Sequence, residues 1–392
     1  MEKRMTVEFV ADNDCTGCLS CVAVCKQSAI SIKYNNEGFW FPVVNITKCT
    51  RCGMCYRKCP SFNLIEKKIP FERRVLQFKD HEILENCASG GAAFGMSSYI
   101  LKKGGWVCGC VLDENMLPIH ILTEKYDDLK KMRGSKYVQS MIGKDVYEQV
   151  KTKAKENHPV LFIGTPCQVA GVITYIGDVP ESLITVEVIC HGVAGPGLYA
   201  HYIMQKSEQL KGKLKDVQFR SRRAGRFPNN HSIMIITDCQ VYCKNSLDDP
   251  YGSSFYHNRI LRESCYRCIY ATPCRVADIT IGDYDAPKSD VEKFSSTLGF
   301  SIALINSKKG KKFIEDCKYL FDIIELRETY SQINLIQPTL RPRQRDEMKK
   351  MHVDMSNPLN DVGYDPKITI IDRIKRLIPQ EIKDSIKKKI KR

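Results

Sequence analysis

Two short stretches carry an unusual density of one soft ligand. "CTGCLSCVAVC" places Cys15, Cys18, Cys21 and Cys25 within eleven positions, and "CTRCGMCYRKCP" places Cys49, Cys52, Cys55 and Cys59 within the same span before Pro60. Both read C-x2-C-x2-C-x3-C; the second ends in proline, whereas Lys26 follows the first. The chain holds nineteen cysteines in 392 residues. Its opening, MEKRMTVEFVADND, has no apolar core of signal-peptide length, and no later stretch approaches the ~18 apolar residues of a spanning helix. A cytoplasmic chain is therefore expected, and in the reducing cytosol metal ligation is a better use for clustered thiols than a disulfide framework.

The spacing is that of a bacterial-type two-cluster ferredoxin. There, three cysteines of a run hold one iron–sulfur cube and the fourth reaches across to the other. On that pattern Cys15, Cys18, Cys21 and Cys59 form one ligand set, and Cys49, Cys52, Cys55 and Cys25 the second. Zinc is the competing reading, because C-x2-C pairs also build zinc ribbons. A tetrahedral zinc would leave the third and fourth cysteine of each run idle. With "SAISIKYNNEGFWFPVVN" as a hairpin between the halves, residues 1–68 are expected to form a 2[4Fe-4S] ferredoxin domain that moves single electrons.

Beyond "IEKKIPFERR" the pattern changes. "RVLQFKD", "WVCGCVLD", "PIHILTE", "PVLFIG" and "LITVEVIC" read as strands, while "SGGAAFGMSSYILKK", "YDDLKKM", residues 144–155, "PCQVAGVITYI" and "GPGLYAHYIMQKSEQL" read as helices. This alternation predicts an α/β domain with a mostly parallel sheet. "DVQFRSR", "HSIMIITD" and "QVYCKN" predict an antiparallel insertion. The domain divides into 72–157 and 158–325, with 326–392 as a connector and tail. Two strand-to-helix turns, Ser89-Gly90-Gly91 and Gly164-Thr165-Pro166-Cys167, offer amides at helix N-termini where a phosphate would sit, although neither matches a Walker or G-x-G-x-x-G loop.

A third cysteine set lies in "ESCYRCIYATPCRVADITIGDYDAP", with Cys265, Cys268 and Cys274. Candidate partners are Cys167 and Cys190, both at C-terminal ends of predicted strands, where open α/β sheets gather their sites. The ordered motifs "NCASGGAAFG", "RGSKYVQS", "GTPCQVAG", "ICHGVAGPGLY" and "CYRCIYATPCRVADITIGDYDA" resemble the family of coenzyme F-420 hydrogenase/dehydrogenase beta subunits over residues 72–325. The resemblance implies an α/β flavin-binding domain holding FAD beside a third [4Fe-4S] cluster. By position it implies Cys167, Cys190, Cys265 and Cys268 as that cluster's ligands, and Ser89, Gly90, Gly91, Lys136 and Thr165 as the flavin's lining. Cys274 departs from the pattern as an extra thiol, and so does Tyr284-Asp285, where related bacterial sequences often read Trp-Gly.

Two functions follow as expectations. The first is an iron–sulfur flavoprotein oxidoreductase with its own organic substrate, one in polysaccharide biosynthesis being a candidate. The second is an electron-transfer beta subunit of a hydrogenase/dehydrogenase-like complex with no substrate of its own. In either, a flavin would join one-electron to two-electron chemistry. Expected partners are reduced ferredoxin or a partner redox subunit, and a small acidic substrate. That substrate would be gripped by arginine forks among Arg220, Arg222, Arg223 and Arg226, with a solvated loop as the alternative. His191 and Arg222 are the catalytic candidates. A structural histidine is the competing reading of His191, and turn-forming roles are the competing reading of Asp278 and Asp283. Cys87, Cys108, Cys110, Cys239, Cys243 and Cys317 read most simply as small buried residues. Much of the net charge of +15 sits at the C-terminus, in "IIDRIKRLIPQEIKDSIKKKIKR", whose isoleucines form one stripe at helical spacing. Docking on an anionic membrane face and packing on protein are the two readings of that basic helix. A nucleic-acid binder is disfavoured, because no defined binding motif or interleaved aromatics accompany the charge.

Overall fold

The computed structural model describes residues 5–10, 12–221, 232–285, 288–294, 298–326 and 332–346. Arg222, Arg223, Arg226 and the basic tail lie outside them.

Each cysteine run winds into a short helix, α1 (Ser20–Val24) within the first and α2 (Met54–Arg57) within the second. Between them stand β1 (Ile30–Tyr34) and β2 (Trp40–Val44), paired antiparallel with Ile30 opposite Val44 and Tyr34 opposite Trp40. The hairpin turn is closed by Asn35, whose side-chain oxygen accepts from the amides of Glu37 and Phe39. The two runs repeat one backbone course. Left-handed φ occurs two and four positions after the first cysteine, at Gly17 and Leu19 in one run and at Arg51 and Gly53 in the other. Such alternation turns successive amides toward one concavity, the geometry of an anion nest.

The second domain follows without a free linker: Lys68 pairs in both directions with Arg275. Its elements run β3 (Glu72–Phe78), α3 (His81–Glu85), α4 (Ala92–Lys102), β4 (Trp106–Leu112), β5 (Pro118–Thr123), α5 (Tyr126–Met132) and α6 (Lys144–Lys155). Then come β6 (Val160–Gly164), α7 (Pro166–Ile176), β7 (Leu183–Val188) and α8 (Pro196–Gln209). After β8 (Leu214–Ser221), β9 (Ser232–Thr237), β10 (Val241–Asn245) and α9 (Pro250–Tyr256), the chain closes with β11 (Ile279–Tyr284), α10 (Lys288–Val291), β12 (Phe300–Ile305), α11 (Lys308–Cys317) and β13 (Phe321–Glu325).

Eight strands form one sheet in the order β13-β3-β12-β11-β7-β6-β4-β5. Strands β4, β6, β7 and β11 are parallel; β12 runs against both β11 and β3, so β3 shares their direction. Only β5, β12 and β13 oppose it. The sheet passes through residues 157–158 unbroken, because β4 pairs with β6. The expected insertion is a separate antiparallel sheet, β10-β9-β8.

Strand alternation sends Val160 and Phe162 to one face and Leu161 to the other. On Leu161's side α4 and α11 cover the sheet with Phe94, Ile100, Phe313 and Ile314. Opposite, α6 and α7 supply Val146, Val150, Val169 and Val172, and Ala23 from α1 joins this same core. The ferredoxin-like module thus sits on the α6–α7 layer, held by apolar burial as well as hydrogen bonds.

Candidate functional site

In the first run, Cys15, Cys18 and Cys21 come from the left-handed loop and Cys59 arrives from the end of the second. All four line one pocket, walled also by Val7, Pro42 and Pro60. Burial pushes the Cys18 thiol far up, and Cys59, Cys15 and Cys167 add to it. Burial likewise raises Cys21, reinforced by Cys18, Cys15, Cys59 and Cys55. Thiols packed this way resist ionising unless positive charge joins them.

The second run is more open. Burial raises Cys55, with Cys49 and Cys52 adding, while Cys52 itself is exposed. Cys25 and Cys49 pack around the same small core as Cys55. The amides of Ala29 and Arg51 donate to the sulfurs of Cys25 and Cys49.

Cys167, Cys190, Cys265 and Cys268 are brought together from three places in the chain. Cys167 opens α7, Cys190 follows β7, and Cys265 lies in the turn at Glu263–Arg267, which Cys268 caps. Burial raises Cys190, joined by Cys265, Cys167 and Cys268. Burial and Cys268 push Cys265 up to about 12, and burial pushes Cys167 up to about 11 despite the Thr165 hydroxyl 3.2 Å from its sulfur. Cys274 stays outside this mutual set; its carbonyl accepts from Thr272. The loop carrying Cys268 is anchored by Arg275, which bonds the carbonyls of Tyr270 and Thr272 and pairs with the fully buried Glu187 on β7.

The described residues bring no three cysteine, histidine or carboxylate groups onto a point suited to a single metal ion. The first set instead stands around a space, with amides turned inward by the alternating backbone. That donor set fits a cube with four thiolate corners better than a tetrahedral zinc.

The two domains meet at these thiols. Tyr147 on α6 donates from its hydroxyl to the Cys18 carbonyl at 2.7 Å, and Gln139 donates to the Thr16 carbonyl at 2.9 Å. Trp40, 1% exposed, donates from its indole to the Gly17 carbonyl. The Gly38 turn touches the start of α8: the Gly197 amide donates to the Gly38 carbonyl at 2.9 Å. A Cβ on Gly38 would stand 2.5 Å from the Leu198 nitrogen. Gly171 on α7 is also constrained, since its Cβ would lie 2.8 Å from the Tyr147 hydroxyl and 3.2 Å from the Cys18 sulfur. Tyr270 is buried in the α7 core against Cys167 and Cys268, and its hydroxyl has no hydrogen-bond partner among the described residues. Burial raises that hydroxyl, and Cys167, Cys18, Cys268 and Cys59 add to the effect. Thiols of both the first and the third set thus act on it.

Other residues singled out from the sequence are placed as follows. Ser89, Gly90, Gly91 and Thr165 lie past the C-terminal ends of β3 and β6, at the sheet edge that also carries Cys190, His191 and Asp283. The Ser89 hydroxyl donates to the Phe300 carbonyl. Gly90 has no space for a side chain beside Leu76 and Ser301, and Gly91 caps α4 at φ 73. The Lys136 ammonium donates to the carbonyls of Lys131, Met132, Arg133 and Gly134, closing the end of α5. The Thr165 amide is held by Gln168. The Ser89 hydroxyl, the Lys136 ammonium and the Thr165 amide are thus engaged within the chain.

His191 is largely buried, and burial lowers its pKa. Arg220 pairs with Asp283 at 2.6 Å. Asp278 is a buried structural carboxylate: burial would raise its pKa, but Lys309 and Lys68 outweigh that, and Ser307 and Thr185 donate to it. One expectation is corrected. Cys239 and Cys243 are exposed, because Cys239 lies in the turn before β10 and Cys243 on that edge strand of the small sheet, whereas Cys87, Cys108 and Cys317 are buried. No helix among the described residues is long and apolar enough to cross a membrane.

Of the residues that join the domains, Tyr147 and Arg262 lie outside the quoted motifs, while Gln139 and Tyr270 lie inside two of them without any sign there of a joining role. Their partners are tens to hundreds of positions away, and spacing holds no signal for them.

Comparison with known proteins finds matches for both parts of the chain. Residues 14–65 match a 4Fe-4S dicluster domain, and residues 158–328 match the C terminus of the coenzyme F420 hydrogenase/dehydrogenase beta subunit. The F subunit of the F(420)H(2) dehydrogenase of Methanosarcina mazei is 22% identical over 339 residues, 81% of this chain and 86% of that protein. Coenzyme F420-dependent sulfite reductase of Methanocaldococcus jannaschii is 24% identical over 171 residues, 42% of this chain and 26% of the relative. A chain in the F420-reducing [NiFe] hydrogenase complex from Methanosarcina barkeri aligns at TM-score 0.44 and 17% identity, covering 76% of this chain and 93% of its own. Residues 158–328 thus carry a C-terminal domain of the coenzyme F420 hydrogenase/dehydrogenase beta-subunit family, with a 4Fe-4S dicluster domain ahead of it.

Proposed function

We propose that this protein is an iron–sulfur electron-transfer subunit of an F420 hydrogenase/dehydrogenase-like oxidoreductase, working with a partner redox subunit. The observation that carries the reading is the docking of the Cys15 set against the Cys167 set, with thiols of both acting on Tyr270. When bound, [4Fe-4S] clusters supply storage and release of single electrons at potentials tuned by their surroundings. Cys15, Cys18, Cys21 and Cys59 would hold the first, Cys49, Cys52, Cys55 and Cys25 the second, and Cys167, Cys190, Cys265 and Cys268 the third.

The chain's own residues organise these positions. The α6–α7 layer and Trp40 exclude water from the first set, and the Tyr147 and Gln139 bonds fix its loop. Arg275 and Glu187 fix the third. Around the second set, Lys26, Lys48, Arg51 and Arg57 are exposed. A basic rim beside the open ligand set suits an acidic face on a redox partner.

The relatives, named as part of a dehydrogenase and as a sulfite reductase, favour this reading over one with an independent organic substrate. FAD, reduced ferredoxin as donor and a role in polysaccharide synthesis rest on the family resemblance alone. Anaerobic purification tests the proposal: about twelve irons per chain are expected from ~three cubes, with broad visible absorbance. Stoichiometric zinc without iron would overturn it. Release of a yellow chromophore on denaturation would add FAD, and its absence would remove FAD while leaving the electron-transfer reading intact.

A further inference from the structure

Arg262 is 1% exposed and begins the turn that carries the third ligand set, its carbonyl accepting from the Cys265 amide at 2.9 Å. Its side chain runs the other way, into the ferredoxin-like module. Nε donates to the Cys15 carbonyl at 2.7 Å, one terminal nitrogen to the Gln139 side chain at 3.0 Å, and the other to the Trp40 carbonyl at 3.0 Å. The guanidinium stacks on Phe41, 4.3 Å from the ring centroid.

Every one of these partners is neutral. Among the described residues, no carboxylate forms an ion pair with Arg262, although the other deeply buried arginines, Arg74, Arg275 and Arg345, each have one. An isolated buried cation is costly, and neutral hydrogen bonds offset only part of the lost hydration. What flanks Arg262 instead is thiolate chemistry, the Cys15 loop on one side and Cys265 and Cys167 on the other. Its charge opposes the rise in both of those thiol pKa values. A cube with four thiolates carries net negative charge, which would supply the missing counter-charge from both directions.

We infer that Arg262 is the shared buried counter-charge of the Cys15 and Cys167 ligand sets, a positioning residue that locks the two domains together and raises the reduction potential at both sites. The physical reason is direct. Reduction adds negative charge to each set, and a fixed cation in a low-dielectric seam stabilises the added charge. The second set lies outside this seam and is not served by Arg262.

The inference rests on the cluster reading above, and the two fail separately. The test uses the full chain, purified anaerobically with its iron, in a dye-mediated redox titration followed by electron paramagnetic resonance. A Cys52→Ser variant marks the second set's signal. Arg262→Gln removes the charge and should shift two midpoints downward while the second set's stays in place; Arg262→Lys, which keeps the charge but loses the fork, should restore them. Gln139→Glu provides an independent variant, since it places a carboxylate beside the intact guanidinium and should produce the same two downward shifts. Wild-type protein without iron would sink the cluster reading. Wild-type protein with its clusters, but unmoved midpoints in Gln139→Glu or in iron-replete Arg262→Gln, would overturn this inference alone, as would an equal shift at all three sites.

Discussion

The run from Cys15 to Cys25 and the run from Cys49 to Cys59 share one spacing and one alternation of left-handed backbone, yet they meet opposite surroundings. Cys18 and Cys21 are buried, and their loop is bonded to Tyr147, Gln139, Trp40 and Arg262. Cys52 is exposed, and its loop is held locally, with Arg57 donating to the Cys52 carbonyl. Asn63 donates to the Tyr56 carbonyl. A pattern that fixes ligands does not fix their environment. The environment sets potential and access, so the two halves of a sequence repeat are fitted to different tasks, one facing inward and one outward.

Gly17 and Arg51 occupy the same place in the two runs, and substitution there should break the symmetry most. Gly17→Ala adds a Cβ 2.3 Å from the Gln139 amide nitrogen and 2.9 Å from the Arg262 guanidinium. We expect a loss of about 3 kcal/mol, seen in chemical unfolding, because the seam would be overpacked. Full stability in this variant would mean that the domains are not docked as described. Tyr147→Phe comes next. It strips a buried donor from the Cys18 carbonyl and should cost about 2 kcal/mol, whereas Asn63→Ala, its counterpart near the second run, should cost under ~1 kcal/mol at its exposed site.

Access gives a kinetic version of the same contrast. A chelator should remove about a third of the iron at least ~10-fold faster than the rest, corresponding to a barrier difference of about 1.4 kcal/mol. The fast phase should vanish in Cys52→Ser. A single uniform phase in wild-type protein would argue that the second set is no more open than the first. The smallest effect has the opposite sign. Arg51 adopts φ 52 without being glycine, so Arg51→Gly should stabilise the chain by up to about 1 kcal/mol, measured as a rise in denaturant midpoint.

Much of the fold was legible because its signals are local. Helix α7 begins where Pro166 fits the first turn, and β6 and β7 are apolar runs bounded by turn residues. The hairpin between the cysteine runs is closed by Asn35 and Gly38. Less legible were the directions of β12 and β13, whose apolar residues suit either orientation in a buried sheet. Cys239 and Cys243 defied the expectation of burial because a cysteine's surroundings depend on the element beside it, here an edge strand with an open face. Lys136 belongs to a recognisable motif, but the motif does not reveal that its ammonium closes the end of α5.

Sequence alone singled out the candidate ligands of the ferredoxin-like module, because a thiolate repeat with two residues between corners wraps a cube through local chain geometry. It also determined the α/β character of the second domain, since hydrophobic period reports local structure. Only the tertiary structure decided that Cys167, Cys190, Cys265 and Cys268 converge, and that one ferredoxin run faces this set while the other faces outward. It alone placed the Arg262 guanidinium between two thiol sets, through contacts spanning 123 to 247 residues of chain. Such contacts depend on how finished layers pack, and no short stretch of residues encodes that packing.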